Sequence, residues 1–146
     1  MTIEKRQLSE QNDNFIMLPT VDFCFKELMQ NKEVRKGILS ALLGKNPEEL
    51  EDTELLPTIL QPEYQDEKLG ILDVRFLFAD GTQTDLEMQV VQFDFWPNRV
   101  LFYLGKMYTG QIKRGEPYEK LKKCIHVSIL DFLHFPKDDR CFRKIT

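Results

Sequence analysis

Residues 70–78, GILDVRFLF, then 79–81, ADG, then 82–91, TQTDLEMQVV, carry the reading that decides the fold. Both flanks are rich in β-branched and aromatic residues, and Ala79-Asp80-Gly81 is a turn signal, so the stretch predicts a β-hairpin. Asp73 interrupts an apolar strand, where a carboxylate costs several kcal/mol unless a cation or good hydrogen bonds compensate it. Side chains alternate along a strand, so Asp73, Arg75 and Leu77 share one face, and Asp85, Glu87, Gln89 and Val91 share one face of the next. Whether the two faces coincide depends on the turn. A two-residue Asp80-Gly81 loop would set Asp73 opposite Met88 and turn Glu87 away. A three-residue loop with glycine in the left-handed position pairs Phe78 with Thr82 and sets Asp73 opposite Glu87, with Cβ atoms about 4.5–5.5 Å apart. We expect the three-residue loop. Asp73 then has two possible partners: a divalent cation shared with Glu87, or a structural ion pair with Arg75 or Lys68. Two carboxylates with a backbone carbonyl, that of Met88, suit Mg²⁺ or Mn²⁺ better than zinc. Polarising a phosphate and acidifying a water are what such an ion does in phosphodiester hydrolysis.

Outward from the hairpin, Phe23, Phe25, Leu28 and Met29, then Val34, Ile38, Leu39, Leu42 and Leu43, recur at helical spacing. Asn31 breaks the pattern and Gly44 closes it, giving two short helices or one kinked helix, with Asp22 and Asn31 as candidate caps. Pro57 demotes the apolar stretch from Leu55 to Leu60 to an edge strand at best. Beyond the hairpin, Asp94 to Arg114 reads as a long helix with Pro97 in its first turn and Gly115 as its stop. Residues 125–132, IHVSILDF, read as a buried central strand. The expected order is α-β-β-β-α-β, with a mixed central sheet flanked by helices. Residues 1–14 are polar and aperiodic and read as a mobile arm, with 15–146 as a single domain.

Composition bounds the rest. The 146 residues fall within the size of one ordinary globular domain, without an apolar run long enough for a membrane span, and the chain reads as cytoplasmic. Cys24, Cys124 and Cys141 lack any CxxC spacing, so they read as free thiols. His126, inside an apolar run, reads as a hydrogen-bonded core residue and not a ligand. The net charge of −4 is uneven: residues 1–93 hold 9 Lys and Arg against 18 Asp and Glu, whereas 94–146 hold 11 against 6. A polyanion would meet the second half. A possible homo-oligomer, joined through an apolar edge, is compatible with any of these readings.

Five segments in order, PTVDFCFKELM (19–29), GILDVRF (70–76), DLEMQV (85–90), YLGKMYTGQIKRGEPY (103–118) and CIHVSILDF (124–132), resemble the recombination-promoting nuclease and transposase branch of the PD-(D/E)XK superfamily. The similarity runs from about Met17 to about Phe135. It implies a restriction-endonuclease-like α/β core and a Mg²⁺-dependent (or Mn²⁺-dependent) DNA endonuclease linked to recombination. Asp73 matches the first acid of the superfamily and Glu87 the acid of its E-x-K element, so both are expected as catalytic residues and metal ligands. Gln89 departs, standing where the general pattern has lysine, as it does in similar proteins of this branch. Glutamine orients water but carries no charge, so Lys26 and Lys106 are the candidates for a displaced catalytic lysine. Asp22 resembles the early acid of a D-x-x-F-K element and is a further candidate ligand. Tyr103, Lys106, Gly110 and Lys113, three or four apart, lie roughly on one helix face, as do Arg99 and Tyr103, and Arg99, Tyr103, Lys106 and Lys113 are expected to follow a DNA backbone. Tyr103, Tyr108 and Gln111 resemble residues that support the site. Members of the family are usually longer at the C-terminus, so the chain is expected to be truncated there. The alternative function, set by Gln89, is a nuclease-like fold that binds DNA or protein without cutting.

Overall fold

The structure, a computed structural model, describes residues 16–62, 65, 66, 68 and 70–145. The polar arm expected over 1–14 lies outside the described residues. Two helices come first, α1 (Asp22–Gln30) and α2 (Lys32–Leu43). The break between them is Asn31, whose extended backbone ends α1 while its side chain accepts the N–H groups of Glu33 and Val34 and so caps α2. Arg35, buried on α2, donates to the Met29 carbonyl at 2.8 Å and covers the exposed end of α1. Gly44, at φ 64°, closes α2 as expected. Asp22 does not cap α1: the cap position belongs to Val21, and Asp22 is the first helical residue.

After a 3₁₀ turn (Pro47–Leu50), Pro57 splits the next apolar stretch into β1 (Glu54–Leu56) and β2 (Ile59–Leu60). The segment expected as one strand over 70–78 is likewise two, β3 (Gly70–Ile71) and β4 (Val74–Leu77), because its first half pairs with β2 and its second with β1. The hairpin partner β5 (Gln83–Gln89) is followed by α3 (Trp96–Thr109) and β6 (Cys124–Leu130). Helix α3 is shorter than the sequence suggests; it ends at Gly110, so Lys113 lies in the loop beyond it and not on the helix face with Arg99.

The main sheet has the order β1-β4-β5-β6, antiparallel except for the β5–β6 pair, which is parallel across the α3 connection. A parallel pair needs such a crossover. The central strand expected over 125–132 is therefore corrected: β6 ends the described sheet and all seven of its residues are only half-buried, while β4 and β5 occupy the centre. Its continuous apolar character suits two covered faces, which a strand at the side of a sheet can have as well as one in the middle.

Strand parity divides the sheet chemically. Val74, Phe76, Phe78 and Leu86 face Phe25, Met29, Leu39 and Leu50, forming the main core under α1 and α2. On the opposite face lie Arg75, Asp85, Glu87, His126 and Ser128, and α3 covers them, with a smaller apolar cluster of Leu60, Leu72, Tyr103 and Met107 beside it. One face is oil and the other holds the chemistry.

Candidate active site

Gly81, at φ 84°, turns the hairpin, and Phe78 N–H donates to the Thr82 carbonyl at 2.9 Å. This is the three-residue loop, and the register Val74↔Leu86, Arg75↔Asp85, Phe76↔Thr84 follows from it. The paired rows end at Val74 and Leu86, and Asp73 stands in the bend just beyond them, next to the row of Glu87.

The ladder breaks at that point. The next hydrogen-bonded pair would be Leu72 with Met88, but Leu72 N–H donates to the Thr58 carbonyl at 2.9 Å. Met88 N–H is taken instead by the Asp73 carboxylate at 3.0 Å. Asp73 thus replaces a backbone acceptor and is held against β5, while the Met88 carbonyl, directed toward the same side, loses its ladder donor. Among the described residues no cation makes an ion pair with Asp73, and Arg75 is engaged elsewhere, with Gln83 Oε1 and the Pro57 carbonyl. The structural ion pair of Asp73 with Arg75 is therefore not formed.

Burial raises the carboxyl of Asp73 above its ordinary range, against the lowering pull of the Met88 N–H. Glu87 is 3% exposed, and its burial pushes it up to about 7 although the Arg99 and His126 charges oppose that; Asp85 and Asp73 add to the rise. Arg99 Nη2 stands 3.6 Å from Glu87 Oε1, too far for a hydrogen bond, and Glu87 Oε1 is buried without a hydrogen-bond partner among the described residues. A buried carboxylate oxygen is rarely left so. Arg99 is itself positioned by Tyr103, whose hydroxyl accepts Arg99 Nε–H at 3.2 Å.

The other residues named from sequence fall in different places. Lys26 and Asp22, one helical turn apart on α1, are joined at 3.0 Å, and both charges act on the Asp73 carboxyl. Lys106 stands on the smaller apolar cluster, its stem against Gly70 and its ammonium 5.7 Å from the Phe102 ring centre. Gln89 is half-buried and its amide nitrogen donates to the Val91 carbonyl at 2.6 Å, turned along its own strand. Tyr103 is 9% exposed and part of that same cluster, so its ring has no surface to offer a DNA backbone; it supports Arg99.

Sequence reasoning missed one buried chain of hydrogen bonds. Asp85 Oδ2 lies 2.7 Å from His126 Nδ1, and His126 Nε2 lies 2.6 Å from Ser128 Oγ, with the Asp85 and His126 side chains nearly inaccessible. Ser128 pairs in register with Glu87, so this chain runs beneath α3 alongside the acid pair. His126 was expected to be a hydrogen-bonded core residue, and so it is. Its partner Asp85 comes from a strand 41 positions earlier, which no local pattern reveals.

A mixed four-stranded sheet with helices on both faces, crossed over by α3, is the architecture of the PD-(D/E)XK nucleases. Residues 19–145 match the family of PD-(D/E)XK nuclease family transposases, and the chain belongs to that family. No curated protein and no solved structure matches the chain. Among the described residues no helix is long and apolar enough to cross a membrane, and no group of three or more His, Cys, Asp and Glu side chains is gathered as a metal cage.

Nucleases of this superfamily typically use divalent metals. The donor set suits such an ion: two carboxylates, one with a buried oxygen lacking a hydrogen bond, and a backbone carbonyl released from its ladder. All of these are hard oxygen donors, which Mg²⁺ takes with several waters retained and fewer protein ligands than a zinc site needs.

Proposed function

We propose that the chain is a Mg²⁺- or Mn²⁺-dependent DNA endonuclease that hydrolyses phosphodiester bonds, of the transposase type linked to recombination. The observations that support this reading are Asp73 just beyond the last paired row, Val74 with Leu86, bonded to the Met88 N–H, and Glu87 in the next row with its Oε1 buried and without a hydrogen bond. Asp73, Glu87 and the Met88 carbonyl would hold the ion, with Asp22 as a further ligand from α1. When bound, the ion supplies charge stabilisation at a phosphoryl oxygen and lowers the pKa of water.

The protein groups do the rest. Asp73, held by the Met88 N–H, cannot swing away, which fixes one side of the site. Arg99 lies 36% exposed beside Glu87, placed to hold that carboxylate in line and to present its remaining N–H groups to phosphate. Tyr103 sets the orientation of Arg99. Lys26, whose charge acts on the Asp73 carboxyl, and Lys106 are the candidates for the positive charge that position 89 lacks. Gln89, whose amide nitrogen is occupied, keeps its carbonyl oxygen to orient a water.

That same contact of Gln89 favours a second reading, in which the domain binds DNA or protein without cleaving it. Incubating supercoiled plasmid with the protein and Mg²⁺ or Mn²⁺ separates the two. Nicking or linearisation that disappears in Asp73→Asn and in Glu87→Gln, both still folded by circular dichroism, supports the enzyme. Cleavage surviving either substitution refutes the assigned site, and DNA retention without cleavage by the wild type favours the binding module.

A further inference from the structure

The segment between α3 and β6 holds five Lys and Arg over residues 113–123 against two glutamates, in a chain whose first 93 residues are strongly acidic. We propose that this loop is the docking surface for the phosphate backbone of duplex DNA, with Lys113, Arg114, Lys122 and Lys123 as the contacting cations. The inference rests on the nuclease reading above and adds the place where the substrate is held.

The backbone of the loop is fixed in advance. Gln111 grips Lys122 with both ends of its amide, donating to the carbonyl at 2.9 Å and accepting the N–H at 2.8 Å. Glu116 accepts the Lys113 N–H at 2.7 Å, Gly115 at φ 87° makes the turn between them, and Lys123 is tied to β5 through the Gln83 N–H at 2.9 Å. Cations displayed from an ordered backbone lose less entropy when they meet a ligand.

Their charges are also unspent. Glu116 is committed to Lys120 at 2.7 Å, and among the described residues none of Lys113, Arg114, Lys122 and Lys123 has a carboxylate partner. Several other surface cations are paired: Lys26 with Asp22, Lys32 and Lys36 with Glu51, Arg140 and Arg143 with Asp138. All four loop residues are exposed. Unpaired, fully hydrated cations are what a polyanion recruits, because each phosphate contact releases a condensed counterion.

Helix α3 connects this loop to the acid pair. Arg99 near its start reaches Glu87, and Gln111 just past its end holds Lys122. At 1.5 Å per residue, the helix from Arg99 to Gly110 spans roughly 16 Å. That is about half of the ~34 Å turn of a duplex. The loop therefore lies within about half a duplex turn of Arg99, the half-exposed residue of α3 that reaches Glu87.

Fluorescence anisotropy with a short labelled duplex in chelator, titrated from about 50 to about 200 mM salt, tests this without requiring metal or cleavage. The variant carrying Lys113→Gln, Arg114→Gln, Lys122→Gln and Lys123→Gln should bind more weakly, and its slope of log affinity against log salt should be shallower by about 3–4, near 0.9 for each lost phosphate contact. Each half of the set, Lys113→Gln with Arg114→Gln or Lys122→Gln with Lys123→Gln, should remove about half of that, which keeps the test usable if the fourfold variant does not fold. Lys32→Gln with Lys36→Gln, on α2, controls for net charge and should leave the slope in place. An unchanged slope in the loop variants, or an equal drop in the α2 control, overturns the docking surface while leaving the nuclease reading intact. Absence of any duplex binding by the wild type at low salt overturns both.

Discussion

Replacing Glu87 with glutamine tests the candidate site through stability alone. In the folded protein burial raises the Glu87 carboxyl from 4.5 to about 7, with the Arg99 charge pulling the other way. A folded pKa above the unfolded one means that the native state holds the proton more tightly. Stability therefore falls as pH rises from about 4.5 to about 7, and the penalty of the ionised carboxylate is complete above that. At 1.36 kcal/mol per pH unit, the penalty is up to about 3 kcal/mol. Glu87→Gln keeps the shape and removes the charge; Arg99, more than a third exposed, remains solvated without its partner. In chelator at pH 8 the variant should melt higher by as much as about 6–12 °C for a domain of this length. Near pH 4.5, where Glu87 is neutral, the two proteins should melt together. Divalent metal at 100 times its dissociation constant should raise the wild type by about 2.7 kcal/mol and leave the variant unmoved. Differential scanning calorimetry across pH 4.5–8 reads all three. Parallel melting curves at every pH, or a variant less stable than wild type at pH 8, would refute the argument that Glu87 stands buried and under-compensated.

Three further expectations concern other parts of the molecule. Gln89→Lys places the superfamily's usual cation beside two acids and should raise metal-dependent plasmid cleavage, while an unchanged or lower rate would show that another group already supplies that charge. Asn31→Ala removes the side chain that caps α2 and should cost about 1 kcal/mol in urea denaturation, with an unchanged m-value. Gly81→Ala forces a side chain to φ 84° and brings its Cβ to 2.9 Å from the Lys122 side chain, so it should cost about 1–2 kcal/mol by the same measurement.

The hairpin register was legible because it is local. Gly81 is the residue able to take a left-handed φ cheaply at that turn, and a period of two then carries the alignment from Thr82 to Leu86 without further information. The same holds for Asn31 and Gly44, where the side chain or its absence acts on the adjoining helix end. Boundaries were less legible. Residues 70–78 have the composition of one strand throughout, yet they divide at Leu72 because β2, beyond Pro57, competes for the first half.

What the sequence by itself determined is the three-residue turn at Gly81 and the register that runs from it to Val74 and Leu86, which leaves Asp73 and Glu87 on neighbouring segments beside that last pair. Tertiary structure decided the surroundings: that β6 closes the sheet instead of centring it, that His126 finds Asp85, that Arg99 turns in toward Glu87, and that Leu72 leaves Met88 for Thr58. The physical reason is chain separation. Local backbone preferences act over a few residues, whereas these contacts depend on the parallel crossover through α3 and on which strand wins a shared partner, and those are settled by packing the whole sheet between its helices.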